Sequence, residues 1–96
     1  MPKRVVGATI ASEMSRYYFD LRDDARFVPD PAGMEFRDFD HAALEAVKSL
    51  MEYALEVVPG GPDGREIVMV MKDENRRALL TAVLTFELVK TEVPPA

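Results

Sequence analysis

The sequence lacks several features on which small proteins often depend. None of its 96 residues is a cysteine, which excludes disulfide cross-links, thiolate metal sites and a thiol nucleophile. The redox environment of the chain is left open by this absence. A chain of this length forms one small domain with a single core. Its stability must therefore come from packing, within the chain or against a second subunit.

A long apolar run is also missing. The longest apolar-rich segment, Ala78–Leu84, is interrupted by Thr81 and is far shorter than the span of about 20 residues that a transmembrane helix needs. The N-terminus carries two basic residues before the apolar stretch VVGATIA, which resembles a short signal peptide. That stretch is brief, and Glu13 follows it closely. We therefore expect no membrane association and a cytoplasmic location.

An excess of basic residues is absent as well. The chain has 12 lysines and arginines against 17 acidic residues, a formal net charge of −5 at pH 7. A nucleic-acid-binding module concentrates basic side chains on one surface, so we expect no nucleic-acid partner. The acidic excess is explained most simply as a contribution to solubility.

The longest regular pattern lies between Asp38 and Val58 and predicts a helix. Asp38 is the expected N-cap, and Asp40 lies in the first turn, where the helix dipole favours a negative charge. The sequence PGG at 59–61 ends the pattern. At 3.6 residues per turn, one side of this helix is predicted to be an apolar stripe of Phe39, Ala43, Val47, Leu50, Met51, Ala54 and Val58.

Four segments are predicted to be strands. Alternating side chains indicate Arg16–Arg22 and a short edge strand in MEFRD, residues 34–38, whereas Glu66–Lys72 and Ala78–Val89 are more uniformly apolar. Residues 25–33, ARFVPDPAG, are predicted to be a turn or loop because they contain two prolines and a glycine. The predicted fold is α+β, of ββαββ order, with a mainly antiparallel sheet of three to four strands and one helix on one face.

The chain is expected to form one domain with two short extensions. Residues 1–13 are interpreted as an N-terminal extension that is dispensable for folding, being either flexible or an upstream addition, because Met14 begins the first clear pattern. The domain is expected at 14–90. Residues 91–96 form a tail whose two prolines oppose regular strand pairing.

One helix cannot cover both faces of such a sheet. The side expected to face it holds Tyr17, Phe19, Leu21, Ile67, Met69, Met71, Leu80, Ala82, Leu84, Phe86 and Leu88. The open face is expected to hold Tyr18, Asp20, Arg22, Val68, Val70, Thr81, Val83 and Thr85, with Glu87. A solvated face is normally more polar than this. We interpret these residues as an interface, most simply with a second copy of the chain. Alternatively, valine and threonine serve strand propensity there, and the N-terminal segment covers part of the face.

Few side chains indicate catalysis. His41 is the only histidine and is expected on the helix surface, without catalytic partners. Asp23, Asp24 and Asp30 could meet around a cation if their loop folded back, but the spacing is not that of an EF-hand. We therefore expect no catalytic residue, metal or cofactor, and a non-enzymatic protein-interaction or regulatory module that acts as a homodimer. The alternative is a small-ligand or metal-binding protein, or a weak enzyme, that uses the polar residues of the first strand.

Several short motifs together resemble a known family. They are RYYFDLRD at Arg16–Asp23, D-x-D-x-A-A-x-E-A at Asp38–Ala46, GRE at Gly64–Glu66, a V-x-K-D-E turn at Val70–Glu74, and LTFE at Leu84–Glu87. The pattern is similar to that of a family of short bacterial proteins known only as a domain of unknown function. The resemblance covers about residues 14–89. It supports the strand and helix assignments and implies no activity or catalytic residue.

The chain departs from that family at two turns. The family commonly has a glycine after the first R-D, where this chain has Asp24, and another in the last turn, where Asn75 or Arg76 stands here. We expect both departures to affect turn geometry rather than chemistry, since asparagine and aspartate tolerate the left-handed backbone conformation better than most residues.

Overall fold

The computed structural model describes residues 14–24 and 26–92, which form five strands and one helix joined by turns and loops. The elements are β1 (Ser15–Asp23), β2 (Arg26–Val28), β3 (Met34–Phe36), α1 (Phe39–Val57), β4 (Gly64–Lys72) and β5 (Ala78–Glu87). The α+β class is confirmed. The predicted N-terminal extension at 1–13 and the last four residues of the predicted tail lie outside the described residues.

The sheet is antiparallel and is built around β1. Its strand order is β2-β1-β4-β5, and β3 also pairs with β1. On the outer side of β1, β2 pairs with Leu21–Asp23 and β3 with Ser15–Tyr17. The sheet thus has five strands rather than three to four, because Arg26–Val28 was predicted to be loop. A three-residue strand is too short to show alternation, and only its pairing partner reveals it.

The carboxylate of Asp30 fills the gap between β2 and β3. It accepts hydrogen bonds from the backbone N–H groups of Phe19 and Gly33, each at 3.0 Å. The N–H of Asp30 donates in turn to Asp20 Oδ1 at 2.9 Å. Gly33 has a φ of 68°, and a Cβ there would lie 2.7 Å from the carbonyl oxygen of Tyr17. Asp30 thus gives the N–H group of Phe19 a hydrogen-bond partner at the part of the β1 edge that neither β2 nor β3 covers.

The ends of α1 agree with the sequence. Asp38 is the N-cap, and its Oδ1 accepts a hydrogen bond from the N–H of His41 at 2.9 Å. The helix ends at Val57, with Val58 as the C-cap. Gly60 follows with a φ of 79°, a left-handed conformation that glycine adopts without strain.

The buried side of α1 differs from the predicted stripe. Leu50 and Ala54 are buried as expected, but the other buried positions are Ala42 and Ala46. The predicted core residues Phe39, Val47 and Met51 are 42, 47 and 57% exposed. The prediction was wrong for these three because the larger apolar side chains were assigned to the core. The small alanine side chains let the helix backbone approach the sheet closely, and the larger residues point outward.

The core lies between α1 and the middle of the sheet. The residues buried there include Tyr17 and Leu21 of β1 and Ile67, Met69 and Met71 of β4, all on the predicted side. Leu80, Ala82 and Leu84 of β5 are only partly buried. Leu88 is 60% exposed because β5 ends at Glu87, two residues before the predicted strand end. The helix therefore covers β4 well and β5 incompletely.

Two neighbouring substitutions test the orientation of the helix. Leu50→Ala should lower the free energy of unfolding by about 2–5 kcal/mol, because it opens a cavity in the core. Met51→Ala should change it by no more than about 0.5 kcal/mol in the monomer, because that side chain is exposed. Urea unfolding of both variants measures the difference. Equal losses would contradict the orientation.

Candidate functional site

All eight residues proposed for the open face lie on the side of the sheet opposite α1. These are Tyr18, Asp20 and Arg22 of β1, Val68 and Val70 of β4, and Thr81, Val83 and Thr85 of β5. Two rows cross the sheet in register: Asp20, Val70 and Thr81 in one, and Arg22, Val68 and Val83 in the other. The strand alternation is therefore as predicted, but the two halves of this face have different environments.

The β1 half of the face is closed by side chains of the same chain. Asp20 is only 4% exposed, and Lys72 Nζ lies 2.8 Å from its Oδ2. Burial opposes ionisation of Asp20, but the hydrogen bonds from Lys72 and from the N–H of Asp30 outweigh it, so the pKa of Asp20 lies below its ordinary value. The guanidinium of Arg76 stacks over the ring of Tyr18 at 3.9 Å. The burial of Asp20 was not expected from the sequence.

The two turns in which the chain departs from the resembling family each contain a residue with a left-handed backbone conformation. Asp24 has a φ of 54° and Arg76 a φ of 65°, where the resembling family has glycine. Of the two residues left open for the last turn, Arg76 is therefore the one in the strained position.

The β5 half of the face is open and more apolar. Val83 is 56% exposed, Val68 and Val70 are half-buried, and Thr81 and Thr85 are exposed. Side chains at these positions are available to a partner, whereas in the β1 half Asp20 is buried, Tyr18 is half-buried and Arg22 alone is exposed.

A second apolar surface lies on α1, and the sequence prediction missed it. Leu44, Val47, Met51 and Leu55 recur at helical spacing and are 62, 47, 57 and 75% exposed. We call these four residues the outer stripe. A groove of about 400 Å³ separates the helix from β5 and is lined by residues that include Met51, Leu55, Leu84 and Phe86. The available signal was that apolar residues cover more of the helix circumference than one sheet face can bury.

Another groove, of about 410 Å³, lies on the opposite flank of α1. Its lining includes Phe19, Val28, Met34, Glu45 and Tyr53. Ser49 Oγ, also in its wall, donates a hydrogen bond to Glu45 at 2.9 Å. This pair is separated by one helical turn, an ordinary contact on a helix surface. The groove lies on the helix side of the sheet, away from the open face.

Asp23 joins β1, β4 and α1 through a buried network. Its carboxylate accepts two hydrogen bonds from Arg65, at 2.9 and 3.3 Å, and one from the hydroxyl of Tyr53 at 2.6 Å. Arg65 also donates to the carbonyl oxygen of Val57, at the end of the helix, at 2.8 Å. The hydrogen bonds from Arg65 and then Tyr53 lower the pKa of Asp23, and the same bond from Tyr53 raises the pKa of that phenol.

The acidic residues considered for a cation are engaged separately. Asp23 binds Arg65, whereas Asp30 accepts from backbone N–H groups. Within residues 14–24 and 26–92, no group of three or more histidine, cysteine or acidic side chains could hold a metal ion. His41 is on the helix surface as predicted, with its Nδ1 2.7 Å from Asp38 Oδ1. Over the same residues, no helix is long and apolar enough to cross a membrane.

Adjacent aspartates test the buried network. Asp23→Asn should lower the free energy of unfolding by about 2–3 kcal/mol, because it removes the charge that compensates a largely buried guanidinium. Asp24→Asn is the matched control: this side chain is exposed, and asparagine tolerates its left-handed backbone. Denaturant unfolding should show a loss only for Asp23→Asn. Equal stability of both variants would exclude a structural role for the network.

The lowered pKa values of Asp20 and Asp23 also predict how stability depends on pH. A carboxylate whose pKa is lower in the folded state stabilises that state fully above its unfolded pKa of about 3.9. That contribution disappears as the pH falls through the folded pKa. The free energy of unfolding should therefore decrease with acidification below about pH 5, and less steeply in Asp23→Asn. Parallel pH profiles for the two proteins would contradict this assignment.

Comparison with known proteins agrees with the resemblance seen in the sequence. A family model described as "Domain of unknown function (DUF6894)" matches residues 16–85. The matched range begins within β1 and ends within β5, so it contains α1 and the ion pairs of Asp20 and Asp23. Searches of curated proteins and of solved structures gave no match. The chain belongs to the DUF6894 family, a domain family of unknown function.

Proposed function

We propose that this chain is a small non-enzymatic interaction module whose working form is a homodimer. The observation that carries the proposal is the extent of apolar side chain left exposed around β5 and α1. Leu55 is 75% exposed, Leu44 62%, Met51 57% and Val83 56%. Val83 lies on the open face and the other three lie on α1, on the opposite side of the sheet. Exposed apolar surface of this extent on a small domain is typical of an interaction site. A second copy is the simplest partner, because closed symmetric dimers are the commonest oligomers.

The enzymatic or ligand-binding alternative receives less support from the geometry. Of the first-strand polar residues, Asp20 is occupied by Lys72, and the nearby Asp23 is occupied by Arg65 and Tyr53. A general acid or base must reach the proton that it transfers, and these buried carboxylates are already bonded within the domain. Arg22 is exposed, but one exposed guanidinium does not make a site.

The proposed contact surface keeps the residues identified on the open face. Its centre is the β5 half, and its β1 half serves as a polar rim. The centre comprises Thr81, Val83 and Thr85 of β5, with Val68 and Val70 of β4 beside it, and the rim comprises Tyr18, Asp20 and Arg22 of β1. An apolar centre with a polar rim is the usual composition of a protein interface.

The proposal includes the setting of the module. We place its action in the cytoplasm of a bacterium, without a nucleic-acid or membrane partner and without a cofactor. The net charge of −5 supports the absence of a nucleic-acid partner. An additional protein partner, recruited by the homodimer, fits a regulatory role. Residues 1–13 and 91–96 are proposed to be extensions to this domain.

A charged substitution on β5 tests the homodimer. Val83→Asp places a carboxylate at the exposed centre of the surface, where association would bury it or bring it near its copy. We expect the wild-type chain to be a dimer in sedimentation equilibrium and Val83→Asp to be a folded monomer. Val83→Thr, which has nearly the same shape and no charge, should remain largely dimeric. A wild-type chain that is monomeric at every attainable concentration would refute the homodimer.

A further inference from the structure

We infer that the second copy docks by continuing the sheet: β5 pairs antiparallel with β5 of the other copy, and the two outer stripes of α1 pack together. This inference rests on the proposed homodimer and specifies how it is built. The juxtaposition that carries it is a long unprotected strand edge beside an uncovered apolar helix surface.

The two edges of the sheet differ in the protection they have. On the β1 side, the outer edge consists of β2 and β3, each three residues long, with Pro29 and Pro31 between them. Short strands and prolines are common means of preventing edge-to-edge pairing. On the other side, β5 is ten residues long and contains no proline and no basic residue; its only charge is Glu87. Such an edge is suited to pairing with another strand.

The register identifies the backbone groups at the free edge. Leu88 N–H donates to the carbonyl oxygen of Asp63 at 2.6 Å, one position beyond the pair Gly64–Glu87. Hydrogen-bonded and non-hydrogen-bonded pairs alternate along an antiparallel ladder. The N–H groups of Thr81, Val83 and Thr85 therefore point away from β4. Among residues 14–24 and 26–92, no strand pairs with this edge.

A twofold axis at this edge also brings the helices together. An axis perpendicular to the sheet makes the two β5 strands antiparallel and keeps both helices on the same face, running in opposite directions. Met51 and Leu55 line the groove beside β5, so the outer stripe lies on the side where the second copy would stand. The partly buried residues of β5, such as Leu84, would then be covered by the second subunit.

The outer stripe is self-complementary in an antiparallel arrangement. Centring the pair of helices near Leu50 sets Leu44 of one copy opposite Leu55 of the other, and Val47 opposite Met51. The flanking Lys48 then faces Glu52 of the other copy, and this ion pair occurs twice by symmetry. Both charged residues are exposed in the single chain. Opposite charges that meet in this way fix the register and orientation of a dimer.

Three substitutions separate this arrangement from other contacts. Thr85→Pro removes an N–H group from the free edge without removing a bond to β4, a position where strands tolerate proline. Leu55→Lys places a charge in the outer stripe. Val70→Lys changes the open face on β4, away from the edge and opposite Asp20. Thr85→Ser is the control that keeps the N–H group.

We expect Thr85→Pro and Leu55→Lys each to raise the dimer dissociation constant by about tenfold or more, equivalent to about 1.4 kcal/mol. Val70→Lys should raise it less than either of these, because Val70 lies on β4, one strand away from the edge, and Thr85→Ser should leave it nearly unchanged. Sedimentation equilibrium gives the constants, and circular dichroism verifies the fold of each variant. If Thr85→Pro does not fold, Leu55→Lys decides, because its side chain is exposed and the fold does not depend on it.

The other outcomes have definite meanings. A dimer that survives Thr85→Pro and Leu55→Lys but is lost in Val70→Lys stacks through the open face, which overturns this inference and leaves the proposed homodimer intact. A wild-type chain that is always monomeric overturns both.

Discussion

The position of α1 is the constraint on which the other surfaces of this domain depend. Its alanines at 42 and 46 pack against the sheet, and buried partners such as Ile67 and Met71 come from β4. A helix centred there leaves β5 partly covered and turns larger side chains such as Leu55 outward. The domain thus closes its core and keeps an apolar side. Burial of such apolar surface contributes about 25 cal/mol per Å² in favour of association. This contribution is the physical basis of the proposed dimer.

The polar residues of the β1 motif RYYFDLRD serve to connect β1 with other parts of the fold. The Arg16 N–H donates to Glu74 of the β4–β5 turn, Asp20 binds Lys72, and Asp23 binds Arg65. These partners belong to the other motifs that resemble the family pattern, V-x-K-D-E and GRE. The motifs are therefore bonded to one another across the sheet, and they connect β1 with β4 and its flanking turns. Such a set of contacts specifies strand order and helix position rather than a reaction.

Much of the fold was predictable because its signals are local. The helix ends follow from Asp38 and the PGG sequence, and the strand faces follow from alternation, so Val83 was assigned to the open side correctly. The rotation of α1 was not predictable in the same way. Apolar residues cover more than one side of the helix, and only the close approach that Ala42 and Ala46 permit decides which part is buried. The strand Arg26–Val28 and the burial of Asp20 depend on contacts with distant residues.

The candidate surfaces also divide into those that local sequence signals predict and those that depend on contacts between distant residues. The open face could be found from the period of two in each strand, whereas the outer stripe appeared only once the core side of α1 was known. The exposed edge of β5 required the strand order, which no short motif encodes. Membership of the DUF6894 family covers these elements, and it transfers no activity to them.

Amide hydrogen exchange of β5 is the most direct measurement of the proposed edge pairing. The N–H groups of Thr81, Val83 and Thr85 point away from β4, so they gain protection only if another strand binds there. We predict slow exchange at these three positions, with protection that increases with protein concentration. Rapid exchange of the three amides in a solution where the protein is dimeric would contradict the edge-paired dimer, and so would protection independent of concentration in a monomer.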